Sequence, residues 1–341
     1  MTGLIFAASI VAAPLKGEVV TYANLTVYPI YASPTVNGAD YITLDEGLKQ
    51  GTVTITETGS QTAPPLIRNR GSQAAGQSQV QTQRQSGSGT VNTLWLTNRS
   101  GKKLLILTGE MVSGGKQDRI IQKDVLVPSS KEAINLSVFC VEQQRWSGAD
   151  MKFAPATAAG GIGGLADPSL RGKAQHERSQ SAVWNQVDTS LRRLKTDNST
   201  KTYQANLQNS TVQRSVDSYV KAIEKSFPID RALGVAVAVN GRMVWMDRFS
   251  ANAMFRDYWP KMIRSYALEA IQSSVRMPTP KPPTYDAAMR YAEARDGKVT
   301  SEAEHQVWQL TKVESKTHVI YELRDLTLKT TPLLHASKMA K

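Results

Sequence analysis

The sequence predicts an α+β protein: an antiparallel β-rich, sandwich-like body packed with three to four amphipathic helices. Three observations carry this. Short runs of β-branched and aromatic residues recur through the first 140 positions, several with period-two alternation. Two stretches between His176 and Phe227 instead repeat their apolar residues at helical spacing. A later pair of apolar runs is joined by Asn240-Gly241, the strongest short-range hairpin signal in the chain.

Taken in order, Leu4 to Ala13 is an apolar run ending in small residues, like a secretory leader lacking its positive n-region. The alternatives are a clipped leader, implying export to the periplasm or exterior, and a short buried segment in a cytoplasmic protein. It is too short to span a bilayer. Glu18 to Ala32 reads as strand. Thr43 stands three residues before Glu46, with Gly51 just beyond, which marks a capped helix of about two turns. Thr52 to Thr58 alternates as a strand. Gly71 to Thr90 is Gly/Gln/Ser-rich, with Val80 its only large apolar residue, and predicts a mobile loop inside a domain.

Val91–Asn98 and Lys102–Gly109 predict a tight hairpin through Arg99-Ser100-Gly101. Leu104 to Leu107 are apolar without alternation, as in a strand covered on both faces. DRIIQKDVLVP and EAINLSVFCVE predict a second hairpin around Pro128, with Ile134, Leu136, Val138 and Cys140 on one face of the returning strand. Val183, Val187, Leu191 and Leu194 stripe one helix, and Val212, Val216, Tyr219, Val220, Ile223 and Phe227 the next. A helix from about Asn252 to Ser273 holds Pro260, which should bend it. Residues 276–284 form a Pro-rich, extended linker. A short helix near Ala287 to Ala294, two strands (HQVWQLTKV and THVIYELRD) and a frayed basic tail from Leu328 complete the chain. The expected organisation is residues 1–14 as a leader candidate, a single α+β domain over 15–327, and the tail over 328–341.

The 341 residues suffice for a large core, and 40% hydrophobic with 21% charged content marks a soluble globular chain. The net charge of +12 favours acidic partners, but no single Lys/Arg run dominates, and general solubility is the plainer explanation. No nucleic-acid recognition motif is present. With one cysteine the chain can form no internal disulfide and no cysteine-based metal site. The four histidines are scattered, and nothing indicates a metal or names a cofactor. The oligomeric state is not legible.

The runs GEMVSGGKQDR and CVEQQRW carry a resemblance. Together with YANLTVYPIY, YITLDEGLKQG, the PSLR near Pro168, the VWNQVD helix and WPKMIRSYALEA, they resemble, in order, segments of the ARG- and rhodanese-phosphatase-superfamily-associated protein domain (ARPP) family of bacteria and archaea. The resemblance implies a link to nucleotide or ADP-ribose chemistry, through association with ADP-ribosylglycohydrolase-type and phosphatase-type proteins.

The residues give an independent reading. Glu110, Lys116, Gln117, Asp118 and Arg119 fall within ten positions, among Gly109, Gly114 and Gly115. Such a loop exposes backbone N–H groups while Lys116 and Arg119 supply charge, as an anion site requires. It is not a Walker loop, because Gln117 follows the lysine and the glycine spacing is wrong. The plainer reading is a polar loop whose charges pair with one another. Strand parity puts Glu142 on the buried face of its strand, needing Arg145, or Lys116 and Arg119, as partners. It is then either a general base or hydroxyl acceptor, or half of a structural ion pair. Gln143, Arg145 and Trp146 complete the candidate ligand-binding set, with Trp146 either stacking on a base or closing a core edge. Cys140 reads as a small core residue, His176 as solvated, and Arg171 as a surface turn residue unless the fold brings it near Lys116. The glycines of GGIGGL lack the setting of a dinucleotide loop.

Two functions remain in view. One is a module that binds, and in its catalytic form hydrolyses, a nucleotide-like or ADP-ribose-related anion: Lys116, Gln117 and Arg119 hold it, while Glu110, Asp118 or Glu142 orients a water or hydroxyl. The other is a non-catalytic exported envelope or interaction protein, in which the same residues form a structural clasp.

Overall fold

The computed structural model describes residues 18–58, 92–144, 152–156, 164–274, 280–304 and 306–341. The leader candidate, the 71–90 loop, Arg145, Trp146, residues 160–163 of GGIGGL and His305 lie outside the described residues.

The N-terminal strand region is a two-residue hairpin, β1 (Val20–Tyr22) and β2 (Leu25–Ile30), turning at Ala23 with φ 50°. Next come β3 (Tyr41–Thr43) and α1 (Leu44–Lys49), where the Thr43 hydroxyl accepts from Glu46 N as the capping box predicts. Then follow β4 (Val53–Glu57), β5 (Thr93–Asn98), β6 (Lys103–Ile106), β7 (Met111–Gly114), β8 (Arg119–Ile121), β9 (Val125–Val127), β10 (Ile134–Cys140) and β11 (Phe153–Pro155). The helical part comprises α2 (Pro168–Gly172), which runs into a π-helical turn at Lys173–Glu177, α3 (Gln180–Leu194), α4 (Gln204–Gln208) and α5 (Ser210–Glu224). The chain ends with β12 (Gly234–Val239), β13 (Arg242–Phe249), α6 (Asn252–Gln272), α7 (Tyr285–Glu293), β14 (Lys298–Glu304), β15 (Trp308–Glu314), β16 (His318–Asp325) and β17 (Leu333–Ala340).

These strands make three sheets, ordered β1-β2-β12-β13-β17-β16-β15-β14, β11-β7-β8-β10-β5-β4 and β3-β6-β9. The α+β class is as the sequence predicts, and the Asn240-Gly241 hairpin rejoins the N-terminal strands through β2 and β12. The Val/Ala alternation of β12 explains its position. Val235, Val237 and Val239 face the main core, while Ala236 and Ala238 face a smaller cluster beneath Ala288 and Met289 of α7. Helix α6 is buried on nearly every side, which is why it shows no single apolar stripe.

Four expectations need correction. Strands β5 and β6 do not pair: β5 lies between β4 and β10, and β6 runs parallel to β3 and antiparallel to β9. Asn98 redirects the chain there, its side-chain amide donating to the carbonyls of Lys102 and Val127. Likewise β10 pairs with β8, not β9. The basic tail is β17, a buried strand between β13 and β16, and β14 is an additional edge strand. The tail misreads because His335, Ser337 and Lys338 are all enclosed, and inward polar residues look like solvent exposure in a sequence. Finally, Arg171 is not a surface residue but is wholly buried.

Candidate functional site

The two polar runs converge because β8 pairs antiparallel with β10, setting Arg119 opposite Cys140. Residues just before β8 therefore lie beside residues just after β10. Val141 N donates to Asp118 O at 3.1 Å, and the Gln117 side-chain amide donates to Glu142 O at 2.7 Å. Asp118 N donates to the Glu142 carboxylate at 3.2 Å, and the Thr202 hydroxyl to Asp118 Oδ2 at 2.8 Å. Gln117, Asp118, Arg119 and Glu142 are all buried, Lys116 is half-buried and Gln143 is exposed.

Arg119 turns back on its own strand, Nη1 donating to Gln117 O at 2.7 Å. Its Nε and Nη2 make no hydrogen bond, and the nearest carboxylate oxygen, Glu57 Oε1, is 3.5 Å from Nη2. Glu57 also accepts from Lys116 N at 3.0 Å. Between them Gly115 sits at φ 53°, where an added Cβ would lie 2.5 Å from Phe153 Cζ and 2.6 Å from Glu57 Oε1, so only glycine fits. Cys140 is enclosed beside Arg119, and burial pushes its thiol up to about 11, which leaves it an unreactive core residue at neutral pH.

Glu110 does not join this knot. It forms a buried ion pair with Lys261 of α6, which also binds Asp45 at 2.7 Å, and its other oxygen accepts from Leu107 N at 2.6 Å. Burial is the largest influence on both partners. It raises the Glu110 carboxyl and works against the Lys261 ammonium, which the two carboxylates nonetheless hold above the ordinary lysine value.

A second buried assembly surrounds Arg171. Both Nη atoms bond Asp247 at 2.8 Å, and Trp245 Nε1 (2.9 Å) and Tyr266 OH (2.5 Å) donate to the same carboxylate. His335 bridges Asp247 (3.1 Å) and Asp124 (2.6 Å). Gly109 at φ 88° lies against this arginine, with an ideal Cβ only 2.3 Å from Arg171 Cγ. His176 is half-buried, its Nδ1 3.4 Å from Tyr321 OH, and is not the fully solvated residue expected. Among the described residues no cluster of three or more His, Cys, Asp or Glu is arranged to hold a metal ion, and no helix is long and apolar enough to cross a membrane.

Sequence reasoning missed Glu57, Thr202, Asp247 and His335. Parity could have found two of them: Glu57 follows Val53 and Ile55, and Asp247 lies between Trp245 and Phe249, each on a buried face. Thr202 and the β17 partners are brought in only by tertiary contact.

Fold and site together define a class: an α+β protein with a glycine-flanked polar knot at the end of a β-ladder. The chain belongs to the ARG and Rhodanese-Phosphatase-superfamily-associated Protein domain family, whose profile matches residues 16–338. No curated protein and no solved structure matches it.

Proposed function

We propose that the knot binds a nucleotide-like or ADP-ribose-related anion, anchored on Arg119. The observation that carries this reading is the enclosed guanidinium whose Nε and Nη2 lack hydrogen-bond partners. Buried donors of a charged group are costly to leave unmet, and an anionic oxygen would meet two of them in a fork geometry. The ligand reaches Arg119 by displacing Glu57, whose 3.5 Å contact is longer than a hydrogen bond. Lys116 and Gln143 lie toward solvent and meet the ligand first. Asp118 and Glu142 are the carboxylates of the knot that would orient a sugar hydroxyl or, in a hydrolytic version, a water. Glu110 has no part, being committed to Lys261.

The test is a thermal-shift screen with ADP-ribose, NAD and phosphosugars, on the wild type and Lys116→Ala. A ligand-dependent rise that disappears in the variant is expected. No rise with any of these ligands would end the proposal. The hydrogen bonds that join Gln117 and Asp118 to Glu142, and Thr202 to Asp118, favour a second reading, a structural clasp in a non-catalytic interaction protein. On that reading Glu142→Gln lowers the melting temperature, and Lys116→Ala changes no ligand-dependent shift.

A further inference from the structure

Away from the knot, a cleft of about 500 Å³ opens where the Ala32–Thr35 segment, the end of β13 and the β16–β17 connection meet. Its floor is apolar, formed by Leu233, Phe249 and Leu333, while two arginines, Arg248 and Arg324, stand in its walls. Among the described residues no carboxylate lines it. The hydroxyls of Ser33, Thr35 and Thr330 are at its exposed mouth.

The walls are held by backbone bonds, so the cleft is preformed. Thr35 N donates to Ser250 O (2.8 Å), Phe249 N to Leu233 O (2.8 Å), Ser250 N to Leu334 O (3.1 Å) and Asp325 N to Pro332 O (3.0 Å). A register shift between Leu323 and Arg324 re-aims Arg324, whose Nη1 donates to Thr331 O at 3.2 Å. Opposite Arg248 the ladder has Gly234, where an added Cβ would lie 2.4 Å from Asp247 O and 2.7 Å from Arg248 Cα.

Arg248 makes no hydrogen bond and no ion pair among the described residues. Glu322, which could have neutralised it, is gripped by Arg295 through bonds of 2.9 and 2.6 Å. Burial lowers the Arg248 pKa, with Glu322 and Glu293 acting in the opposite direction. A half-buried guanidinium that makes no hydrogen bond or ion pair, in a cleft with no acid among its described lining residues, suits an anion that enters from outside. The volume falls in the range that takes a small organic ligand, and the apolar floor suits the ring or chain that carries the charged group.

We infer that this cleft is a second anion site, distinct from the knot, which takes a small phosphomonoester of about mononucleotide size. The phosphate lies between Arg248 and Arg324 and accepts from the hydroxyls at the mouth, and the organic part rests on Leu233 and Phe249.

The experiment is isothermal titration of the full chain with AMP, ribose 5-phosphate, inorganic phosphate and uncharged adenosine. The wild type is expected to bind AMP and ribose 5-phosphate more tightly than inorganic phosphate, and not to bind adenosine. Arg248→Gln and Arg324→Gln should each weaken binding by about tenfold or more, with salt weakening it further. Lys116→Ala, which acts at the knot, should leave the component of binding that depends on Arg248 and Arg324 unchanged, so failure of this site and failure of the knot are read separately. Absence of binding by the wild type overturns the inference. So does a titration that neither arginine substitution alters, or an arginine-dependent component that is lost in Lys116→Ala. Should Arg248→Gln fail to fold, Arg324→Gln, a change at a partly exposed side chain, decides alone.

Discussion

Asp247 shows how this fold accommodates buried charge. Its carboxylate is wholly enclosed, yet it receives two bonds from Arg171 and one each from Trp245, Tyr266 and His335. Burial alone would raise its pKa, but Arg171 and His335 hold it well below the usual carboxylate range. His335 experiences the same balance in reverse. Burial lowers its pKa, while Asp124 and Asp247 prevail and lift it from 6.5 to about 9. The folded state therefore binds this proton more tightly than the unfolded state does. The stability it contributes is fully present below about pH 6.5 and is lost as pH rises through about 9. Glu269, raised from 4.5 to about 7 by burial and by Asp167, produces a similar decline in an earlier window. Lys338, lowered by burial from 10.5 to about 8, acts in the opposite sense from pH 8 upward. The measure is accordingly the difference between wild type and His335→Gln in chemical denaturation across pH 6.5 to 9. That difference should shrink as pH rises, and a constant difference would show that His335 is not charged in the folded protein.

At the scale of elements, β17 separates the structure most sharply from a plain sequence reading. A frayed tail could be removed without consequence. Instead β17 pairs with β13 on one side and β16 on the other, and it supplies the histidine that links Asp124 to Asp247. Its removal would divide the eight-stranded sheet and leave Asp124 and Asp247 without their shared partner. A chain ending at Thr330 is therefore expected to show no cooperative unfolding transition by circular dichroism. Recovery of a wild-type transition in that truncation would contradict the central position of the strand. By contrast, α1, α3, α5 and the β12–β13 hairpin are legible in the sequence. Each is specified locally, by a cap, an apolar stripe or a turn dipeptide whose positive φ values match the hairpin: Asn240 at 50° and Gly241 at 73°.

For the whole molecule, the eight-stranded sheet draws β1 and β2 from the start of the chain, β12 and β13 from its middle and β14 to β17 from its end. One hydrophobic core includes residues of all three sheets together with those of α3, α5 and α6. No part of the sheet can be completed without the others, so the chain should unfold as one unit. Denaturation followed by tryptophan fluorescence and by far-ultraviolet circular dichroism should give coincident transitions. Two separated transitions would mean that the six-stranded sheet stands independently.

The sequence alone determined what depends on neighbours along the chain: the α+β class, most helices and strands, the Asn-Gly hairpin, the enclosed Cys140 and the buried side of Glu142. It also marked the two polar runs, because clustered charges among glycines are visible without coordinates. Only the tertiary structure decided which strands pair, since period-two patterns establish faces but not partners. It drew Glu110 away to Lys261, made Arg171 a core residue, and set Arg248 and Arg324 around one cleft from strands far apart in sequence. The physical reason is common to all of these. A buried charge is placed by whatever long-range contact neutralises it, and that partner lies far beyond the reach of local pattern.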